Sequence, residues 1–279
     1  MYNIRYHIAS LVSVFLALAL GLVLGGLVVQ QGAVSKQQRS LVDSLQRDFK
    51  KLSTDNARLG TMLDLEQSYS TQMTNEWSKG RMAGRSVVIM TTGARDENVD
   101  AAVSAIREAG GTTAIVTVKN REFGLNNPAG AETIRSLVGS ATDLRSAVAT
   151  GLAVEWAQST GPRPLTQALI NSGAIGVTGL KSSIAATQAL DLASFSQKPD
   201  EVALRVCRAY ADAGYYALGA QTPTSRNGVA EAAVQLGLSA FDTLGTQPGR
   251  FTLVALYTGG QQGYFGLNAD AVAQFPPVP

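Results

Sequence analysis

Three hydrophobic patterns follow one another along the chain. From Ile8 to Val29 the residues are apolar with no charged interruption, IASLVSVFLALALGLVLGGLVV. At about 22 residues the run is long enough to cross a hydrocarbon core of roughly 30 Å as one helix. A cleavable secretion signal has a shorter apolar region, about 7–15 residues, ending at a small-x-small site. Gln31-Gly32-Ala33 fits such a site poorly, and no cysteine follows to carry a lipid. The run reads as an uncleaved membrane anchor. Within it Gly21 and Gly25 lie four apart, on one helix face, where two backbones can approach closely. Two readings stand: a helix-packing face, or the ordinary abundance of Gly in membrane helices.

From residue 33 to about 79 the period changes. There is no Pro, and Leu45, Leu52 and Leu59 recur every seven residues, with Met73 two heptads further on. Setting these at position a places Val34, Leu41, Met62 and Tyr69 at d, which predicts a coiled-coil stalk. Gln38 and Glu66 fall at a, and Asp48 and Asp55 at d. Phe49, Leu63 and Trp77 at e widen the stripe. A helix of about 45 residues rises roughly 68 Å, and its stripe needs a cover. The candidates are a second copy, a coiled coil of another protein, or the chain's own head. Acids facing each other across the seam argue against a tight self-pair, so another envelope protein's coiled coil is the preferred client.

Beyond Gly80 and Gly84 short apolar runs alternate with helix-period segments. Ser86–Met90 reads as a buried strand, Asp96–Ala109 as a helix stopped by Gly110 and Gly111, and Thr113–Val118 as a second strand. This is a β-α-β unit, hence parallel pairing. After Pro128 comes a long helical region carrying Ile134, Leu137, Val138, Leu144, Val148 and Leu152. Leu165–Asn171 is a short helix and Ala174–Thr178 a strand. Glu201–Ala213, Tyr215–Leu218 and Val229–Leu236 give helix, strand, helix, and Phe251–Tyr257 (FTLVALY) reads as a strong strand. The expected fold class is α/β: a transmembrane helix and coiled-coil stalk, then a Rossmann-like, mostly parallel head. The expected domains are 1–32 (tail and anchor), 33–84 (stalk) and 85–279 (head).

Composition narrows the function. The net charge is +2 and charged residues make up 16%, too little positive charge for a nucleic-acid binder. The single cysteine, Cys207, allows no internal disulfide. It lies in an apolar-periodic stretch and reads first as a small buried hydrophobe, with a redox or metal role as the other reading. The one histidine, His7, flanks the membrane run, so a histidine-dependent triad, a Cys–His nucleophile and a Cys/His zinc site in the head all fail. The first strand–helix turn, Thr91 to Glu97, has one glycine and two acids where a phosphate would sit, and it reads as structural. The expectation is no enzyme, no cofactor and no metal site. Orientation is a near tie by charge: Arg5 and the α-amine precede the span, while Lys36 and Arg39 follow it. The preferred topology is a single-pass cell-membrane protein with stalk and head outside the cytoplasm.

Two stretches carry a family resemblance. One is RYHIASLVSVFLALALGLVLG (Arg5–Gly25). The other is the closing set Ser239–Asp242 (SAFD), Pro248–Arg250 (PGR), Leu253–Leu256 (LVAL) and Gly263–Gly266 (GYFG). Together, and in the order anchor, coiled coil, α/β head, they resemble an actinobacterial envelope family, the MctB/SteB family, along essentially the whole chain. Two positions depart from it: Phe241 stands where Val is expected before Asp242, and Tyr264-Phe265 where His-Tyr is expected, which removes a potential ligand histidine. The resemblance implies a single-pass envelope protein. It also implies two competing roles: cell division and wall remodelling with a SteA-like membrane partner or a wall-hydrolase regulator, or copper transport across the envelope.

Copper(I) wants soft thiolate and thioether ligands held close together. The chain has one Cys and five Met, with no Met-x-Met or Cys-x-x-Cys. On that inventory the division scaffold is the expected function and copper transport the alternative. The candidate residues are the stripe Leu41, Leu45, Leu52, Leu59, Met62, Tyr69 and Met73; the membrane face Gly21 and Gly25; and a head edge of Ser239, Asp242, Arg250 and Tyr264. At that edge an Asp242–Arg250 ion pair with turn-forming Gly249 and Gly263 is one reading, and a ligand or peptide groove the other.

Overall fold

The computed structural model describes residues 4–30, 33–92, 97–139, 141–158, 161–180, 185–192, 201–224 and 228–278. The Gln31-Gly32 join, most of the turn after the first strand (93–96) and Pro279 lie outside them. The chain divides into two compact units, Met1–Glu66 and Gln67–Pro279.

The first unit is helical. Helix α1 (Ile4–Gln30) contains the apolar span, and Ile4–Leu27 is long and apolar enough to cross a membrane. Helix α2 (Ala33–Ser78) is the expected long stalk helix, and its last turns belong to the second unit. The long helix is therefore present as a single continuous element. The expected stripe residues Leu41, Leu45, Leu52, Leu59, Met62, Tyr69 and Met73 are all exposed.

The second unit is a seven-stranded sheet in the order β3-β2-β1-β4-β5-β6-β7. The strands are β1 (Ser86–Thr91), β2 (Thr112–Val118), β3 (Ile175–Thr178), β4 (Gln188–Asp191), β5 (Tyr216–Ala220), β6 (Ser239–Phe241) and β7 (Tyr264–Phe265). All neighbours pair parallel except β2 with β3, where Ile115 lies opposite Thr178 in an antiparallel edge. Every residue of β1 is buried, as its uninterrupted SVVIM pattern requires of a central parallel strand.

Helices α3 (Glu97–Glu108) and α9 (Gln247–Tyr257) cover one face. Its core holds Val87, Ile89, Val103, Ile106, Leu253 and Leu256. Helices α4 (Pro128–Val138), α5 (Leu144–Ala157), α6 (Pro164–Asn171), α7 (Val202–Asp212) and α8 (Val229–Gln235) accompany the other. There Val88, Val116, Leu152, Trp156, Val206 and Tyr210 pack together. The last turn of α2 joins the first face. The Trp77 ring lies 4.4 Å from Phe251, Arg81 sits 4.3 Å over Trp77, and Phe275 of the tail meets Phe251 edge-on.

Three sequence expectations are corrected. Phe251–Tyr257 is not a strand but the body of α9. Thr246 caps that helix by accepting from the Gly249 N–H at 3.1 Å, and Pro248 stands in its first turn. The region after Pro128 is two helices, because Asp143 accepts from the Arg145 and Ser146 N–H groups and starts α5 anew. The strands β4, β6 and β7 were not expected; they have four, three and two residues.

Candidate functional site

The closing motif lies along β6 and β7 and the loops at their two ends. Ser239 opens β6 and Tyr264 opens β7, and their parallel pairing sets Ala240 beside Tyr264. The Ser239 hydroxyl donates to Gln262 Oε1 at 2.6 Å and accepts from the Gly263 N–H at 3.1 Å. Asp242 follows the last residue of β6 and is 4% exposed. Its Oδ1 accepts from the Leu267 N–H at 2.8 Å. Its Oδ2 accepts from the Asn268 N–H at 3.0 Å and from the Tyr264 hydroxyl at 3.1 Å.

The network continues outward. The Asn268 side-chain amide donates to the Tyr264 hydroxyl at 2.8 Å and to Glu231 on α8 at 2.7 Å. Burial, and then the nearby Asp242 and Glu231 carboxylates, push the Tyr264 phenol well above its ordinary value, although the Asn268 amide works against the rise. The tail closes over this edge: Val272 donates to the Tyr264 carbonyl and Gly266 to the Ala273 carbonyl, both at 2.9 Å.

Two glycines make the closure fit. A Cβ on Gly266, whose φ is +146°, would lie 1.7 Å from Asp242 Oδ1. A Cβ on Gly249 would lie 2.0 Å from the Thr243 carbonyl oxygen, so Gly249 is a packing residue inside α9 and not a turn. The structure thus brings Asp242 and Tyr264 together and surrounds the Asp242 carboxylate with the chain's own donors, while Ser239 bonds separately to Gln262 and Gly263. Arg250 is elsewhere. It points across to α3 and pairs with Glu108, which also accepts from the Ser104 hydroxyl at 2.5 Å. The Ser104 bond first, and the Arg250 bond next, lower the Glu108 carboxyl below its usual range. The expected Asp242–Arg250 pair is therefore corrected, because the loop amides and Tyr264 occupy the Asp242 carboxylate. Asn268 and Glu231 belong to this network and were missed; no spacing in the sequence links residues 231, 242 and 268.

The other candidates are distributed. Leu41, Leu45, Leu52, Leu59, Met62, Tyr69 and Met73 stand exposed along α2. Among the described residues, a Cβ added at Gly21 or Gly25 would meet nothing within 4 Å. Cys207 is fully buried on α7; burial first, and then the Asp191 charge, raise its thiol well above the ordinary value. Met82 and Met90 are buried in different core clusters, and Met62 and Met73 lie on α2. Among the described residues no three His, Cys, Asp or Glu side chains gather as a metal site. A depression of about 330 Å³ between α5 and α7 is lined by Ser146, Arg205, Arg208 and Asp212. Its two guanidiniums are engaged: Arg205 with Asp143 at 2.9 Å and Arg208 with Asp212 at 2.8 Å.

Residues 1–276 match the profile of the family described as copper transport outer membrane protein, MctB. Proteins named copper transporter MctB, from Mycobacterium bovis and from two strains of Mycobacterium tuberculosis, are 31% identical over 141 residues. That stretch is 50% of this chain and 44% of each relative. No solved structure matches significantly.

Proposed function

The chain belongs to the MctB copper transport family, and from that premise we propose that it serves copper transport at the cell envelope as a membrane-anchored, non-catalytic component. The observation that carries the reading is the family match from residue 1 to residue 276, which takes in anchor, stalk and head together. The division and wall-remodelling role expected from the ligand inventory is not adopted. The family description and the matched relatives both name copper transport, and neither names division.

In this reading α1 holds the chain in the membrane, with α2 and the head outside the cytoplasm. One helix cannot enclose an aqueous path, and the head's sheet is mostly parallel with helices on both faces, unlike a membrane barrel. The chain therefore acts on copper movement with partners and not as a pore on its own. It acts without catalysis, which accords with a single buried Cys and a single His beside the membrane span. Copper is the cargo of the system, and the head does not hold it tightly. The one thiol is a poor ligand, since copper binding needs an accessible thiolate and a soft neighbour.

Deletion of the gene followed by growth on graded copper, with septum microscopy in parallel, tests the reading. The expected result is lowered copper tolerance with normal septa, restored by the wild-type chain and equally by Cys207→Ala. Normal copper tolerance with misplaced or delayed septa would overturn it in favour of the division role.

A further inference from the structure

The unpartnered stripe of α2 has a second heptad phase that fits its side chains better. With Leu45, Leu52 and Leu59 at d instead of a, position a is filled by Val42, Phe49, Asn56 and Leu63. Between Val42 and Leu63 this seam reads Val, Leu, Phe, Leu, Asn, Leu, Leu. The only polar residue is the amide of Asn56, and no charge lies in the seam. The first phase puts Asp48 and Asp55 inside it over the same stretch. In the new phase both acids move to g, on the flank. Val42, Leu45, Phe49, Leu52, Leu59 and Leu63 are all 50–70% exposed.

We propose that residues 42–63 form an in-register, parallel two-stranded coiled coil with a second copy of this chain. Four observations select that occupant. Leu fills d at 45, 52 and 59 and a β-branched Val42 opens the a positions, as two-stranded coils favour, and the single Asn56 at a pairs with its own counterpart only when the helices are parallel and in register. In that arrangement Asp48 and Asp55 at g face Ser53 and Gly60 at e of the other copy, so no like charges meet. Antiparallel packing would set the acidic g flank against itself, which disfavours it. The seam also has an end. Glu66 and Ser70 occupy the next d and a positions, and the following a residue, Trp77, is taken by Phe251 of the head. Three heptads make a short coil. Anchoring both copies by α1 in one membrane supplies the effective concentration that such a coil needs. The proposal rests on that anchoring and not on the copper role.

Single cysteines in the full-length chain in native membranes test it, with Cys207 left in place because it is buried. Mild oxidation should link Leu45→Cys, Phe49→Cys and Leu52→Cys into a product of twice the chain mass. The yield should be about tenfold above that of Thr54→Cys or Thr61→Cys on the outer face. Val42→Cys and Leu63→Cys should exceed Leu41→Cys and Met62→Cys, which the first phase would favour. Asn56→Leu should keep the Leu52→Cys link and add larger oligomers in a bifunctional crosslink, as expected when the register-setting amide is lost. Equal yields around the helix, stronger links at Leu41 and Met62, or a product whose mass includes a different protein would each overturn the inference. Copper tolerance does not enter any of these readings.

Discussion

Gly266 and Asp242 hold the end of the chain to the sheet. A methyl group at position 266 would occupy the place of Asp242 Oδ1. Gly266→Ala must therefore move the loop and break the bonds from Leu267, Asn268 and Tyr264 to the carboxylate. The expected cost is about 2–4 kcal/mol, read as a lowered thermal midpoint. Asp242→Asn keeps the shape but turns a donor toward amide donors, and should cost about 1–3 kcal/mol. A variant at either position with an unchanged midpoint would show that the tail closes without this network. Glu108 gives a smaller effect with a defined sign. Its carboxyl is lowered in the folded chain, so its contribution is present above the ordinary carboxylate range and is lost as pH falls through the folded value. The side chain is 48% exposed, which limits the gain to under about 1 kcal/mol. Arg250→Gln should narrow the stability difference between neutral and acid pH, measured by denaturant unfolding at each pH. An unchanged difference would remove the pair from the account.

At the scale of elements, the long and strongly periodic segments were legible and the short ones were not. The apolar span, α2, β1, α3 and β2 follow from runs of consistent period. The segment FTLVALY failed because it is buried all round: Leu253, Val254, Ala255, Leu256 and Tyr257 are each fully buried. A run with no polar face has no period to separate helix from strand, and only Thr246 and Pro248 mark it as a helix start. β4, QALD, has no β-branched or aromatic residue and is held by its neighbours β1 and β5. The head edge was half legible. Asp242 and Tyr264 do meet there, but Arg250 pairs with Glu108 instead, and the partners of Asp242 are set by the loop after β7, far from any local signal.

Two predictions belong to the elements themselves. A cysteine at Ser53 on exposed α2 should react with an impermeant reagent in intact spheroplasts, and protection until lysis would reverse the proposed orientation. Changing Leu52 and Leu59 together to Asp should abolish self-association while circular dichroism still reports a folded head, whose strands begin only at Ser86. A double variant that still associates would place the contact elsewhere.

For the whole molecule, the family match and the ligand inventory pull in different directions, and the resolution proposed is that copper passes under this protein's control without being held by it. Among the described residues, Cys207 and Met90 are buried in one core cluster and Met82 in the other, while Met62 and Met73 stand exposed on α2. The full chain in detergent should bind copper(I) no tighter than about micromolar, measured by competition with a chromophoric chelator. A stoichiometric nanomolar site that disappears in Cys207→Ala would contradict the non-ligating role.

The central claim, service in copper transport, is tested most directly by the copper content of cells. Cell-associated copper is measured by mass spectrometry through a copper challenge in the parent strain, the deletion strain and the deletion strain carrying the full chain. The account predicts an altered copper content in the deletion strain at unchanged zinc and iron, restored by the full chain and by its Cys207→Ala variant. Identical copper content in all strains would contradict it.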